Sequence, residues 1–101
     1  MHLIYRRRKT DANQKDIIKA FEQMGCHVTD LSDVGKGCPD LLVSHQGESW
    51  LVEIKNLSGR GNRLTPAQSE FIARTSIPVY PCYCLDDVQA IIKGEKSAFN
   101  G

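Results

Sequence analysis

Pro39-Asp40-Leu41-Leu42-Val43-Ser44-His45-Gln46-Gly47-Glu48-Ser49-Trp50-Leu51-Val52-Glu53-Ile54-Lys55 is the stretch whose reading decides the fold. Two apolar runs flank Gln46-Gly47, and glycine supplies the positive φ that a tight hairpin turn requires. With Gln46-Gly47 as a two-residue turn, His45 faces Glu48. Counting back along both strands then brings Asp40 directly opposite Glu53. Side chains alternate along a strand, so Leu41, Val43, Trp50, Val52 and Ile54 share one face, which is expected to be core. Asp40, Glu53 and Lys55 share the other. Leu42 and Leu51 lie on that second face as well, so it should be partly covered.

Charges on a covered face need a partner, because Asp and Glu are rarely buried alone. Facing residues have Cβ atoms roughly 4.5–5.5 Å apart, close enough for Asp40 and Glu53 to share one ion. Carboxylate oxygens without nearby His or paired Cys suit a hard cation, Mg²⁺ or Mn²⁺. Such an ion polarises a phosphoryl oxygen and acidifies bound water, while Lys55 orients that water or stabilises developing negative charge. The implied reaction is phosphodiester hydrolysis. A plain amphipathic hairpin could also display Asp, Glu and Lys, but it would not need the Gly35-Lys36-Gly37-Cys38-Pro39 loop that delivers Asp40.

Outward from the hairpin, Ile17, Ile18, Ala20, Phe21 and Met24 form an apolar stripe at helical spacing, which predicts a helix over Asp11 to Met24. Thr10 or Asp11 can cap its start, and Gly25 suits the left-handed residue that ends it. Cys26 to Leu31 reads as a strand, followed by a loop to Pro39. Strands are expected over Asp40 to Ser44 and Ser49 to Lys55, then a flexible basic loop over Asn56 to Leu64. Thr65-Pro66-Ala67-Gln68 reads as a capping box with Pro at the first helical position, opening a helix to about Thr75. Ile77 to Cys84 is the fourth strand, where Pro81 argues for an edge or a bulge. Asp86 is expected to cap a short last helix ending before Gly94, with a frayed end beyond it. The order α-β-β-β-α-β-α predicts an antiparallel meander, one parallel crossover, and a mixed four-stranded sheet flanked by helices.

The chain has 101 residues, 41% of them hydrophobic and 25% charged, which excludes a disordered tail and bounds it to one domain. We read residues 1–9 as a basic arm, 10–94 as the domain and 95–101 as a tail. The net charge of +1 hides an asymmetry, since Arg6, Arg7, Arg8 and Lys9 stand without an acid and leave the rest net acidic. A basic arm on an acidic body suits a polyanion partner. No apolar run reaches membrane-spanning length, so a cytoplasmic protein is expected, with Cys26, Cys38, Cys82 and Cys84 as reduced thiols. The C-x₂₋₄-C spacing of zinc sites is missing, which makes a zinc-stabilised interaction domain a remote alternative.

Pro39-Asp40 followed by Glu53-Ile54-Lys55 resembles the signature of the PD-(D/E)XK nuclease superfamily, and the element order resembles its restriction-endonuclease-like αβββαβ core. Asp11-Ala12-Asn13-Gln14, Gly37-Cys38-Pro39-Asp40-Leu41-Leu42 and Leu64-Thr65-Pro66-Ala67-Gln68 extend the likeness to the small VRR-NUC proteins of phages. The resemblance implies metal binding by Asp40, Glu53 and the Ile54 backbone carbonyl, with Lys55 beside the water. It also implies Gln68 supporting the site from the second helix and Gln14 approaching from the first. Where the family often has Glu, this chain has Asp11. Small viral members look like homodimeric Holliday-junction resolvases, so the resemblance implies branched DNA, a four-way junction above all, as partner and no small-molecule cofactor.

Gln68 has a second reading, since a capping box alone accounts for it. Arg60 and Arg63 sit in a Gly-rich loop just past Lys55, and Lys36 precedes Asp40. With the Arg6–Lys9 arm they are the expected phosphate contacts. Two alternatives stand beside a junction resolvase. One is a nuclease of other branched or flap DNA, and the other is a non-catalytic nucleic-acid-binding module.

Overall fold

Gln46 and Gly47 both take positive φ, 50° and 84°, and close the hairpin as a type I′ turn. This turn fixes the register. Strand β2 (Leu41–His45) pairs with β3 (Glu48–Ile54) so that His45 faces Glu48 and Leu41 faces Val52. That is the register expected from the sequence, and its next step outward sets Asp40 against Glu53.

The computed structural model describes residues 14–57, 59 and 62–101. The Arg6, Arg7, Arg8 and Lys9 arm, the Thr10 or Asp11 cap and Arg60 lie outside the described residues. Helix α1 (Gln14–Gln23) is followed by β1 (His27–Asp30), then the hairpin, helix α2 (Pro66–Arg74), strand β4 (Val79–Cys82) and helix α3 (Leu85–Ile92). The sheet order is β1-β2-β3-β4, with β1 and β2 antiparallel to their neighbours and β4 parallel to β3. Pro81 therefore sits on an edge strand, where its missing N–H leaves no ladder bond unmade. No helix among the described residues is long and apolar enough to cross a membrane.

Both faces of the sheet are covered. Leu41, Val43, Trp50 and Val52 pack with Ile17 and Phe21 of α1 and Val88 and Ile91 of α3 in the main core, with Ile54 against it. The opposite face carries a smaller cluster of Leu51, Ile72 and Val79, joined by Leu42, Leu64 and Phe71. A helix inserted between parallel strands has to cross one face of the sheet, so α2 covers the face that bears Glu53. The thiols Cys26, Cys38, Cys82 and Cys84 are all free. Burial pushes the Cys82 thiol up to about 12, so it stays protonated and packs as a small apolar group.

Two expectations are corrected. Asp86 does not cap α3: the helix begins two residues earlier than such a cap would place it, at Leu85, with Cys84 at the N-cap making no side-chain bond. Asp87 then falls in the first turn and accepts the Tyr83 N–H at 2.7 Å. The end of the chain is docked where fraying is expected. Lys96 pairs with Asp87 at 3.0 Å and lies over the Tyr83 ring, 5.1 Å from its centroid. Phe99 N–H donates to the Val79 carbonyl at 2.8 Å. Asn100 accepts the Val79 N–H at 3.1 Å, and its amide nitrogen donates to the carbonyls of Ile72, Thr75 and Ile77 at 3.3, 3.5 and 3.2 Å. One side chain thus ties the end of α2 to the start of β4. Asn100→Ala is expected to lower stability by about 1–2 kcal/mol, read as a lower urea midpoint at unchanged slope.

Candidate functional site

Asp40 is the residue just before β2, and its Oδ2 accepts the Ile54 N–H at 2.8 Å. This bond continues the hairpin one step past its last strand pair and turns the carboxylate toward the end of β3. Glu53 is the penultimate residue of β3 and only 8% exposed, and Lys55 just beyond the strand is 7% exposed. Lys55 Nζ stands 3.8 Å from Glu53 Oε2. Its backbone N–H donates to the Cys82 carbonyl at 2.8 Å, so β4 pairing holds the ammonium on the same face as Glu53. Beyond Lys55 the loop is cinched at its base, because Asn62 accepts the Asn56 N–H at 2.7 Å and donates back to the Asn56 carbonyl.

Gln68 reconciles its two readings. Its Oε1 accepts the Thr65 N–H at 2.9 Å, and its own N–H donates to Thr65 Oγ1 at 3.1 Å, completing the capping box. The other end of the same amide, Nε2, donates to Glu53 Oε2 at 3.0 Å. The cap therefore aims the amide, and the amide fixes the carboxylate. Thr65→Ala breaks half the cap and is expected to cost about 1 kcal/mol while leaving the Gln68 bond to Glu53 in place. Gln68→Ala should cost a similar amount and also raise the Glu53 carboxyl further, since the lost bond favours its charged form. Equilibrium unfolding of the two variants across pH separates the cap from the hold on Glu53.

Electrostatics set this site apart from a salt-bridged surface. Burial raises Glu53 to about 7, helped by the charge of Asp40 and opposed by Lys55 and the Gln68 bond. Burial also raises Asp40, against the Ile54 N–H bond and Lys55. Two carboxylates held together with too little positive charge are suited to a cation, which would relieve both. The donor set fits a hard ion. Among the described residues no third His, Cys, Asp or Glu joins the pair. Water, a backbone carbonyl and substrate phosphate would complete the shell, which is the usual arrangement for Mg²⁺.

The other expected residues are placed as follows. Gln14 Nε2 donates to Ser32 Oγ at 3.4 Å, and Ser32 in turn bonds Asp30, so Gln14 contacts the neighbouring strand end and not the carboxylate pair. Lys36 and Arg63 are exposed. The sequence reading missed one residue, Asp30, and the contact made by another, Gly37, which it names only as part of the loop before Asp40. Asp30 ends β1 with its Oδ1 bound by Ser32, and its negative charge helps raise Asp40. Its signal would have been the β1–β2 register, which places Asp30 beside Leu41. At φ +80° Gly37 lies flush on the Ala67 carbonyl, where any Cβ would collide with the first turn of α2.

No family model and no curated protein matches the chain. Among solved structures, one described as "VRR_NUC domain" is similar, with 29% identity and a TM-score of 0.58 over 79% of this chain and 89% of that one. Fold, register and sequence likeness agree: the chain has the restriction-endonuclease-like fold of the PD-(D/E)XK superfamily and resembles its VRR-NUC domains.

Proposed function

We propose that this chain is a metal-dependent nuclease that hydrolyses phosphodiesters in DNA, with branched DNA, the four-way junction first, as substrate and a homodimer as the working form. The observation that carries the nuclease reading is the convergence of Asp40, Glu53 and Lys55 on one covered face of a sheet similar to that of a VRR_NUC domain. The junction and the dimer rest on the sequence resemblance.

Asp40 and Glu53, with the Ile54 carbonyl, would hold Mg²⁺ or Mn²⁺, which supplies Lewis acidity toward a phosphoryl oxygen and bound water. Gln68 keeps Glu53 from rotating, so the carboxylate meets its ligand already oriented. Lys55, 3.8 Å from Glu53, would orient the attacking water or balance charge growing on the phosphoryl oxygens. The water oxygen forms the new P–O bond as the bond to the leaving sugar oxygen breaks. Water gives up a proton in this step and the leaving oxygen gains one. Arg63, Arg60 and Lys36 would contact flanking phosphates, and the Arg6–Lys9 arm would grip a neighbouring run.

The test is a synthetic four-way junction, a flap and a plain duplex, each with and without Mg²⁺ or Mn²⁺, using the intact chain and Asp40→Asn. Paired symmetric nicks on the junction that need metal and Asp40 support the reading. Binding without metal-dependent cutting on every substrate would identify a non-catalytic module. Cutting unchanged in Asp40→Asn would remove the assigned site.

A further inference from the structure

Ala67, Glu70, Phe71 and Arg74 recur at helical spacing along α2, and with Lys36 and Thr75 they line a groove of about 650 Å³. The groove opens beside the Ala67–Gln68 turn, one residue from the amide that holds Glu53. From Ala67 to Arg74 it follows the helix for about 10 Å, at 1.5 Å per residue. Lys36 stands on its rim in a left-handed conformation, φ 58°, between Gly35 and Gly37. Because Gly37 rests on the Ala67 backbone, the rim position of Lys36 is fixed relative to the helix. Lys36 has no ion-pair partner among the described residues, which include all three ion pairs found there.

Arg74 faces a competitor within the groove. Its Nη1 lies 3.3 Å from Glu70 Oε2, one helical turn back, with both side chains mostly exposed at 78% and 67%. An exposed pair of this kind holds little energy, so a better anion can displace the carboxylate. Guanidinium binds phosphate through paired hydrogen bonds, and a free ammonium on the opposite rim adds a point charge.

We propose that this groove is the track for the sugar–phosphate backbone of one DNA strand next to the scissile phosphate, with Lys36 and Arg74 each taking a phosphate. Glu70 occupies Arg74 until the strand arrives, so it weakens binding. Half-buried Phe71 forms an apolar floor against the sugars. The inference rests on the nuclease reading for its substrate, but it is tested by binding and not by cutting.

Binding of a labelled single strand and of a labelled four-way junction to the full chain is measured by anisotropy, without divalent ions, across a salt series. Lys36→Ala with Arg74→Ala should weaken binding about tenfold or more near 0.1 M salt. The double variant should also flatten the salt dependence by nearly two phosphates' worth, at about 0.7–0.9 each. Glu70→Gln should tighten binding about two- to fivefold, since it frees Arg74 and removes a negative charge. Thermal unfolding of each variant confirms that the chain stays folded. An unchanged salt slope in the double variant, or unchanged or weaker binding by Glu70→Gln, overturns the track. If the double variant binds as wild type while wild type cuts, the track fails and the nuclease reading stands. If binding responds as stated but nothing is cut in any metal, the track is supported and the nuclease reading fails.

Discussion

Glu53→Gln is expected to flatten the fall in stability of the metal-free protein between acid and neutral pH, while removing metal-induced stabilisation and cleavage. In the folded chain the Glu53 carboxyl is raised from 4.5 to about 7. Between those values the folded state keeps a proton that the unfolded state has released, so stability falls as pH rises through the window. A shift of this size corresponds to about 3 kcal/mol at most above neutrality, since one unit is about 1.4 kcal/mol. Glutamine keeps the shape and an acceptor for Gln68 but never ionises, so that loss disappears. A smaller slope from Asp40 remains, because burial raises it as well. Urea midpoints of both proteins from pH 4.5 to 8, in chelator, measure the difference. Adding Mg²⁺ should stabilise wild type more at pH 8 than at pH 5, because protons compete for Glu53 at the lower pH, and should leave Glu53→Gln unmoved. Its cleavage rate should fall by at least about a hundredfold. A slope identical to that of wild type would mean that Glu53 ionises normally and that the site lacks the electrostatic tension assigned to it.

The second large effect is expected at Gly37. A Cβ there would strike the Ala67 carbonyl and come within 2.8 Å of the Gln68 amide nitrogen, with φ at +80°. Both obstacles are backbone, so neither can swing aside, and the first turn of α2 must move. That turn contains the capping box and the amide that holds Glu53. Gly37→Ala should therefore destabilise the fold by about 3 kcal/mol or more, enough to lower Tm by more than about 10 °C in a domain this size. Cleavage by the folded fraction should fall with it. Gly35 is the control, as its φ is +76° but nothing lies within 4 Å of its Cβ position. Gly35→Ala carries only the left-handed strain, about 1–2 kcal/mol, and should cut at nearly the normal rate. Equal losses at the two glycines would show that backbone strain, and not the contact with α2, decides the outcome.

The hairpin and its acidic pair were legible because a single Gly-containing turn fixes every pairing that follows it, and the sum of local signals agreed with the fold. Gln68 was legible only as two competing readings. In the structure the acceptor end of the carboxamide completes the cap while its donor end reaches Glu53, so one side chain serves both partners. Asp30 was not legible, because β1 joins β2 through a long loop whose length says nothing about register. The docked end was hidden for a related reason. Asn100 bonds backbone groups 21 to 28 residues away, and a polar terminal stretch has no periodicity from which such partners could be read. The start of α3 shifted by two residues because Cys84, a weak capping residue, offers no signal against Asp86.

The docked end also decides where the sheet can grow. On the outer margin of β4 the Val79 amide and carbonyl are already engaged by Asn100 and Phe99, and Pro81 has no amide hydrogen to offer. A strand from another molecule arriving on that side would find its docking ladder taken. Two chains could not extend the sheet through this margin, and lateral stacking into fibrous aggregates is discouraged along it.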